Sequence, residues 1–155
     1  MRNIVAATDG SEGANRAVDV AAELAKAFGA KLFIVTIAGD LSGEEMRKLA
    51  LAGKNIGETL EGRSMEILMA AEKRTQRFGI TDIQLQVGWG DPASSIMQIA
   101  AREVAEAIVL GRRGRGRLAG LPLGNVSQKV VSLAPCTVIV VPEGAERLPD
   151  DAPWS

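Results

Sequence analysis

The sequence predicts an α/β fold: a five-stranded, mainly parallel sheet with helices on both faces. Short apolar runs alternate with longer amphipathic stretches along the chain, the pattern of repeated right-handed βαβ units. The run Leu32 to Ile37 is almost continuously apolar, as in a strand buried on both faces. Glycines and capping residues fall where one kind of stretch gives way to the other. With 155 residues, one domain is expected, large enough to bury a core without covalent staples.

The elements follow in order. Asn3 to Ala7 is a short apolar run, read as a central strand. Thr8-Asp9-Gly10-Ser11 ends it, and Asp9 and Ser11 are both residues that cap a following helix. That helix, about Glu12 to Phe28, sets Ala17, Ala21, Leu24, Ala25 and Phe28 on one face and stops at Gly29. Lys31 to Ile37 is the second strand. Gly39 and Asp40 turn the chain, and Ser42-Gly43-Glu44-Glu45 has capping-box spacing. Gly53, Gly57 and Gly62 weaken the helical pattern after it, predicting a short helix, an irregular piece, then a firm helix from about Glu61 to Phe78.

Ile80 to Val87 alternates apolar and polar residues, as in a strand near the sheet edge with one wetter face. Gly88 to Gly90 reads as a loop. Asp91-Pro92 places an N-cap before a proline, and the helix to about Val104 carries Ile96, Ile99, Ala100 and Val104. Ala107 to Leu110 is the fourth strand, Asn125 to Leu133 the next helix, and Cys136 to Val141 the fifth strand. Residues 1–142 form the expected domain. The tail, 143–155, is rich in Pro, Asp and Glu and is expected to be poorly ordered.

Composition narrows the chemistry. Eighteen basic and 19 acidic residues give a net charge of −1, with no general pull toward nucleic acid or a membrane surface. The absence of histidine excludes Ser-His and Cys-His catalysis and imidazole zinc sites. The one cysteine, Cys136, stands in an apolar run and reads as a small buried hydrophobe. A single cysteine suits a reducing compartment, so a cytoplasmic location is expected. No apolar stretch approaches 18 residues, and neither a signal peptide nor a membrane span is expected.

The stretch that carries chemistry runs from Gly111 to Ser127. It holds four arginines and several glycines between a strand and a helix start. Glycine lets backbone and phosphate approach closely, helix N–H groups offer donors, and arginine suits phosphate oxygens. In parallel sheets, ligands bind beyond the strand carboxyl ends where strand order reverses. In an order 3-2-1-4-5, Asp9 and Gly111 would face each other across that crevice. The P-loop pattern is absent, and the first turn, Thr8-Asp9-Gly10-Ser11, is not a dinucleotide fingerprint.

What stands instead is Gly111, two residues, Gly114, nine residues, Gly124, then Asn125. At this point the chain resembles the universal stress protein family. The likeness extends from Arg2 to Pro142 and includes the opening Val5-Ala6-Ala7-Thr8-Asp9-Gly10-Ser11, the turn Gly90-Asp91-Pro92 and the closing run Ala134 to Pro142. It implies a Rossmann-like sheet of order 3-2-1-4-5 with ATP at the switch point and Mg²⁺ alongside its phosphates.

Carried over by position, the resemblance sets Ala7, Thr8 and Asp9 against the adenosine and Ile37 against the adenine. Leu110 and Gly111 would close over base and ribose. Gly114, Gly124, Asn125, Val126 and Ser127 would hold the phosphates, joined by Arg112 from the arginine cluster. Asn125 departs from the family's hydroxyl, but its amide still donates. The family also implies a homodimer through Thr137 to Val141, an apolar run that reads as a sheet edge. The expected role is that of an ATP-binding regulatory or stress-response protein with little chemistry of its own. The alternatives are a slow ATPase or phosphotransferase at the same site, and an NADP-type dinucleotide binder.

Overall fold

The computed structural model describes residues 1–39, 43–112 and 123–144. Five strands form one parallel sheet: β1 (Asn3–Ala7), β2 (Lys31–Ala38), β3 (Ile83–Trp89), β4 (Ala107–Gly111) and β5 (Thr137–Val141). Their order is β3-β2-β1-β4-β5, as the family resemblance implies. The helices are α1 (Glu12–Phe28), α2 (Gly43–Leu51), α3 (Ile56–Gln76), α4 (Pro92–Arg102) and α5 (Asn125–Leu133).

Strand alternation divides the core into two layers. Ile4, Ala6, Leu32, Ile34 and Val109 face α1 and α3, where Ala17, Val18, Ala21, Leu68 and Ala71 meet them. Val5, Ala7, Phe33, Val35, Ile108 and Leu110 face the other way, onto Ile96, Ile99 and Ala100 of α4 and Val130 of α5. The small alanine face of α1 seats that helix directly on the sheet. A bidentate ion pair ties α1 to α3, with Arg74 Nε and Nη2 each 2.7 Å from a carboxylate oxygen of the buried Asp19. That carboxylate raises the Arg74 pKa.

Several boundaries differ from the sequence reading. The long helix begins at Ile56, not near Glu61, because the Asn55 side chain caps it by accepting from the Glu58 N–H at 3.1 Å. Gly57 and Gly62 lie inside the helix, each costing about 1 kcal/mol relative to alanine. Burial of Leu68 and Ala71 on the same helix offsets that cost. β3 starts at Ile83 and runs through Gly88 to Trp89, so Gly88 is a strand residue rather than a loop residue. α4 stops at Arg102. Ala105 N–H bonds to the Ala100 carbonyl at 2.8 Å, and Val104 takes a left-handed φ of 51° between them. Val104 therefore faces solvent instead of lining the helix's apolar face, and Phe28 at the end of α1 is also exposed. The expectations for Asp40 and Ser42 lie outside the described residues, as do those for the tail from residue 145 onward.

Candidate nucleotide-binding site

The site starts from the pairing of β1 with β4. Ile4, Val5 and Ala6 stand in register with Ala107, Ile108 and Val109, which brings the carboxyl ends of both strands to one place. Gly111 closes the gap between them. A β carbon added there would sit 3.1 Å from the carbonyl oxygen of Gly13, in the first turn of α1. Two segments about a hundred residues apart in the chain thus meet at one end of the sheet.

On the β1 side the backbone is tightly bound. Thr8 N–H extends the ladder to the Val35 carbonyl at 2.8 Å. The Thr8 hydroxyl accepts from Gly10 N–H at 3.1 Å, and Asp9 Oδ1 accepts from Ser11 N–H at 2.9 Å. Ser11 is the N-cap of α1, accepting from Ala14 N–H at 3.3 Å. The capping role that the sequence offers to both Asp9 and Ser11 therefore falls to Ser11, and Asp9 shapes the turn before it.

On the β4 side the glycine-rich stretch is pinned at its base. Arg112 N–H bonds to the Val141 carbonyl of β5 at 2.8 Å, and Gly124 N–H returns to the Arg112 carbonyl at 2.9 Å. The buried Ser127 hydroxyl points back to the carbonyls of Gly111 at 2.7 Å and Arg112 at 3.1 Å. Its proton is thus engaged by backbone, leaving its N–H as the donor Ser127 can still offer a ligand. Gly114 and the arginines beyond Arg112 lie outside the described residues.

The mouth of α5 differs from those of its neighbours. Side chains cap α1, α3 and α4 through Ser11, Asn55 and Asp91. Gly124 caps α5 without a side-chain hydrogen bond among the described residues. Asn125, Val126 and Ser127 follow as the first turn, whose N–H groups have no partner within the helix. Asn125 is exposed, Val126 half-buried and Ser127 buried. Arg112, whose carbonyl accepts from Gly124 N–H at the start of α5, has a buried Nε with no hydrogen-bond partner among the described residues. A buried donor in that condition fits an anionic ligand, since buried polar groups are otherwise paired.

The apolar residues named from the sequence gather on one side. Ala7 and Leu110 belong to the core layer facing α4 and α5, and Ile37 and Val126 pack against that layer. Ile37 is half-buried near the end of β2. Sequence reading missed two contributors: the backbone of Gly13, against which the bare Cα of Gly111 packs, and Gly88, whose missing side chain leaves room for Ile37. Neither position carries a local signal, because both roles are contacts between distant segments.

The charges near α4 complete the setting. Asp91 caps Ser94 N–H at 3.0 Å, and that bond, helped by Lys129 at 3.6 Å, holds its carboxyl below the usual range. Burial pushes the Cys136 thiol up, which agrees with its reading as an apolar filler rather than a nucleophile. Among the described residues no group of three or more His, Cys, Asp and Glu side chains is placed to hold a metal, and no helix is long and apolar enough to cross a membrane.

Known proteins share this architecture. The sequence model of the universal stress protein family matches residues 1–142. A universal stress protein of Thermus aquaticus is 37% identical over 148 residues, covering 91% of this chain and 98% of that protein. A crystal structure of a universal stress protein in complex with cAMP is 32% identical, with a TM-score of 0.70, covering 90% of this chain and 96% of that one. The universal stress protein UspA from Lactobacillus plantarum, 24% identical over 90% of this chain and 97% of its own, shares the fold at a TM-score of 0.73. With the family's pattern matched across nearly all of the described sheet and a relative aligned almost end to end, the chain belongs to the universal stress protein family.

Proposed function

We propose that this protein binds an adenine nucleotide, ATP in the first instance, between the carboxyl ends of β1 and β4. The observation that carries the reading is the N-terminus of α5, uncapped by any side chain among the described residues, together with the buried Nε of Arg112, which has no hydrogen-bond partner among them. A helix N-terminus of this kind suits phosphate through its N–H groups and its dipole. In this reading Gly124, Asn125, Val126 and Ser127 hold phosphate oxygens, with Gly114 and Arg112 beside them. Ala7, Thr8 and Asp9 lie against the adenosine, Ile37 against the base, and Leu110 and Gly111 close over base and ribose. The complex of a 32% identical family member with cAMP supports the choice of an adenine ligand.

Mg²⁺ enters in this reading with the phosphates, which supply oxygen ligands of the kind it prefers. The protein acts as a nucleotide-responsive regulatory or stress protein of the cytoplasm, with little catalysis of its own. It self-associates through β5, an edge strand whose Val138, Ile139 and Val140 are half-buried, beside the exposed Val131 and Leu133 of α5.

Mass spectrometry of the small molecule released on denaturation, followed by calorimetry with ATP and Mg²⁺, tests the reading. An adenine nucleotide that rebinds stoichiometrically is the expected result. A protein that binds none at millimolar concentration overturns it. Light scattering tests the dimer separately, and a monomer at micromolar concentration removes that part alone.

A further inference from the structure

Gly88 lies within β3, in register with Ile37 on β2. Its φ falls outside the left-handed region, so the backbone there has no conformational need of glycine. The need is for space. A β carbon at this position would stand 2.6 Å from Cδ1 of Ile37, 2.5 Å from Oγ of Ser95 and 3.3 Å from Cδ1 of Ile99. The first two separations are too short for any packed core. The δ-methyl of Ile37 therefore occupies the volume that another residue at position 88 would fill. Ser95 closes the arrangement from α4: its buried hydroxyl donates to the Trp89 carbonyl at 3.2 Å, holding the first turn of α4 against the end of β3.

Ile37 is thus drawn sideways, across β3 and toward α4, rather than left standing at the end of β2. Any side chain at position 88 would send its terminal methyl elsewhere. The core layer below is closed by Phe33, Val35 and Ile99, each nearly inaccessible to solvent, whereas Ile37 is half-buried, so the free direction is outward, at the carboxyl end of the sheet where the nucleotide is proposed to bind.

We propose that Gly88 is a specificity-determining position that sets the width of the crevice on its base-binding side, keeping room for a fused purine ring. The inference rests on the nucleotide reading above and concerns the base alone. The phosphate-binding end, at α5, is served by β4, three strands away from β3 in the sheet. A change at position 88 should therefore act on the base and spare the phosphate.

Calorimetry with AMP, CMP and ribose 5-phosphate separates these effects. The reference is Ser95→Ala, which removes the hydroxyl clash. In the double variant Gly88→Ala with Ser95→Ala, the methyl of Ile37 is the one remaining neighbour closer than 3.0 Å among those named above. That variant is expected to bind AMP at least about tenfold more weakly than the reference, the scale of one misplaced methyl group in a binding pocket. CMP and ribose 5-phosphate should stay within about threefold, under 1 kcal/mol. Adding Ile37→Val deletes Cδ1 and should restore AMP binding to within about threefold of the reference.

Equal losses for all three ligands, unchanged AMP affinity, or no recovery on adding Ile37→Val would each overturn the proposal and leave the nucleotide reading standing. A wild-type protein that binds neither ATP nor any of the three removes both, and one that binds ATP alone is put through the same comparison with ATP and CTP. If the double variant does not fold, Ile37→Phe fills the same side of the crevice with Gly88 intact. It should give the same purine-selective loss, and an equal loss across the three ligands there overturns the proposal.

Discussion

The N-termini of α4 and α5 open at the same end of the sheet, and the two helices are bridged by Lys129 and Asp91 at 3.6 Å. They are finished in opposite ways. At α4, Asp91 turns its own carboxylate onto the Ser94 N–H, and Pro92 in the first turn has no N–H to satisfy. At α5, Gly124 offers no side chain, and Ser127 reaches behind the helix to the carbonyls of Gly111 and Arg112. One mouth is filled by the protein itself. The other has no side-chain cap among the described residues, and a serine of the kind that ordinarily closes one is turned onto backbone carbonyls instead. The difference suits the proposed anion site, which would depend on withheld capping as much as on added charge.

Giving α5 the finish of α4 should break the contrast most severely. Gly124→Asp puts a carboxylate where phosphate is proposed to bind. Two like charges about 4 Å apart repel by about 4 kcal/mol at an effective dielectric of 20. Counterions screen part of this, so calorimetry should show ATP affinity reduced by about a hundredfold or more. The unfolding temperature should hold or rise slightly, because aspartate and glycine differ by only a few tenths of a kcal/mol as caps. Retained affinity would mean that phosphate does not sit at this helix.

A smaller effect is expected from Ser127→Ala. It leaves the carbonyls of Gly111 and Arg112 without their hydroxyl donor, at a cost of about 1–2 kcal/mol. Calorimetric unfolding should shift down by about 3–6 °C for a chain of this size. Nucleotide affinity should fall several-fold, through looser anchoring of the loop rather than loss of a phosphate donor. An affinity loss with unchanged stability would instead assign the hydroxyl directly to the ligand.

The least effect comes from opening the other mouth. Asp91→Ala should lower thermal stability at neutral pH and leave ATP binding unchanged. The sign of its pH dependence follows from the depressed carboxyl of Asp91. Its folded-state pKa lies below its unfolded value, so its stabilisation is complete above the ordinary carboxylate range and is lost as pH falls through the folded value. The gap in melting temperature between wild type and variant should therefore be constant near neutrality and shrink as the solution is acidified below about pH 4. A gap that widens in acid would contradict the capping role.

How far the sequence carried these features depends on whether their cause is local. The parallel sheet was legible because apolar runs such as Leu32 to Ile37 report burial on two faces, while the order of its strands came from the family resemblance. The two capped mouths at Ser11 and Asp91 were legible because a cap acts within a few residues of itself. The start of α3 was hidden because Gly57 and Gly62 argue for a break that Asn55 and the burial of Leu68 outweigh. The close approach of Gly111 to Gly13, the destination of the Ser127 hydroxyl and the use of Gly88 are meetings between segments far apart in the chain. No periodicity or spacing encodes those meetings until the sheet is assembled.

The bond from Gly124 N–H to the Arg112 carbonyl has a consequence for how such a protein can vary. It joins the points where the glycine-rich segment leaves β4 and returns to α5, so the two banks are fixed by contacts that do not pass through the segment between them. The closure entropy of a flexible segment grows only slowly with its length, by about 0.6 kcal/mol for each doubling. Residues inserted beyond Gly114 would leave the frame of the proposed site standing. Apart from that glycine, length and composition there can vary while the abutments stay put.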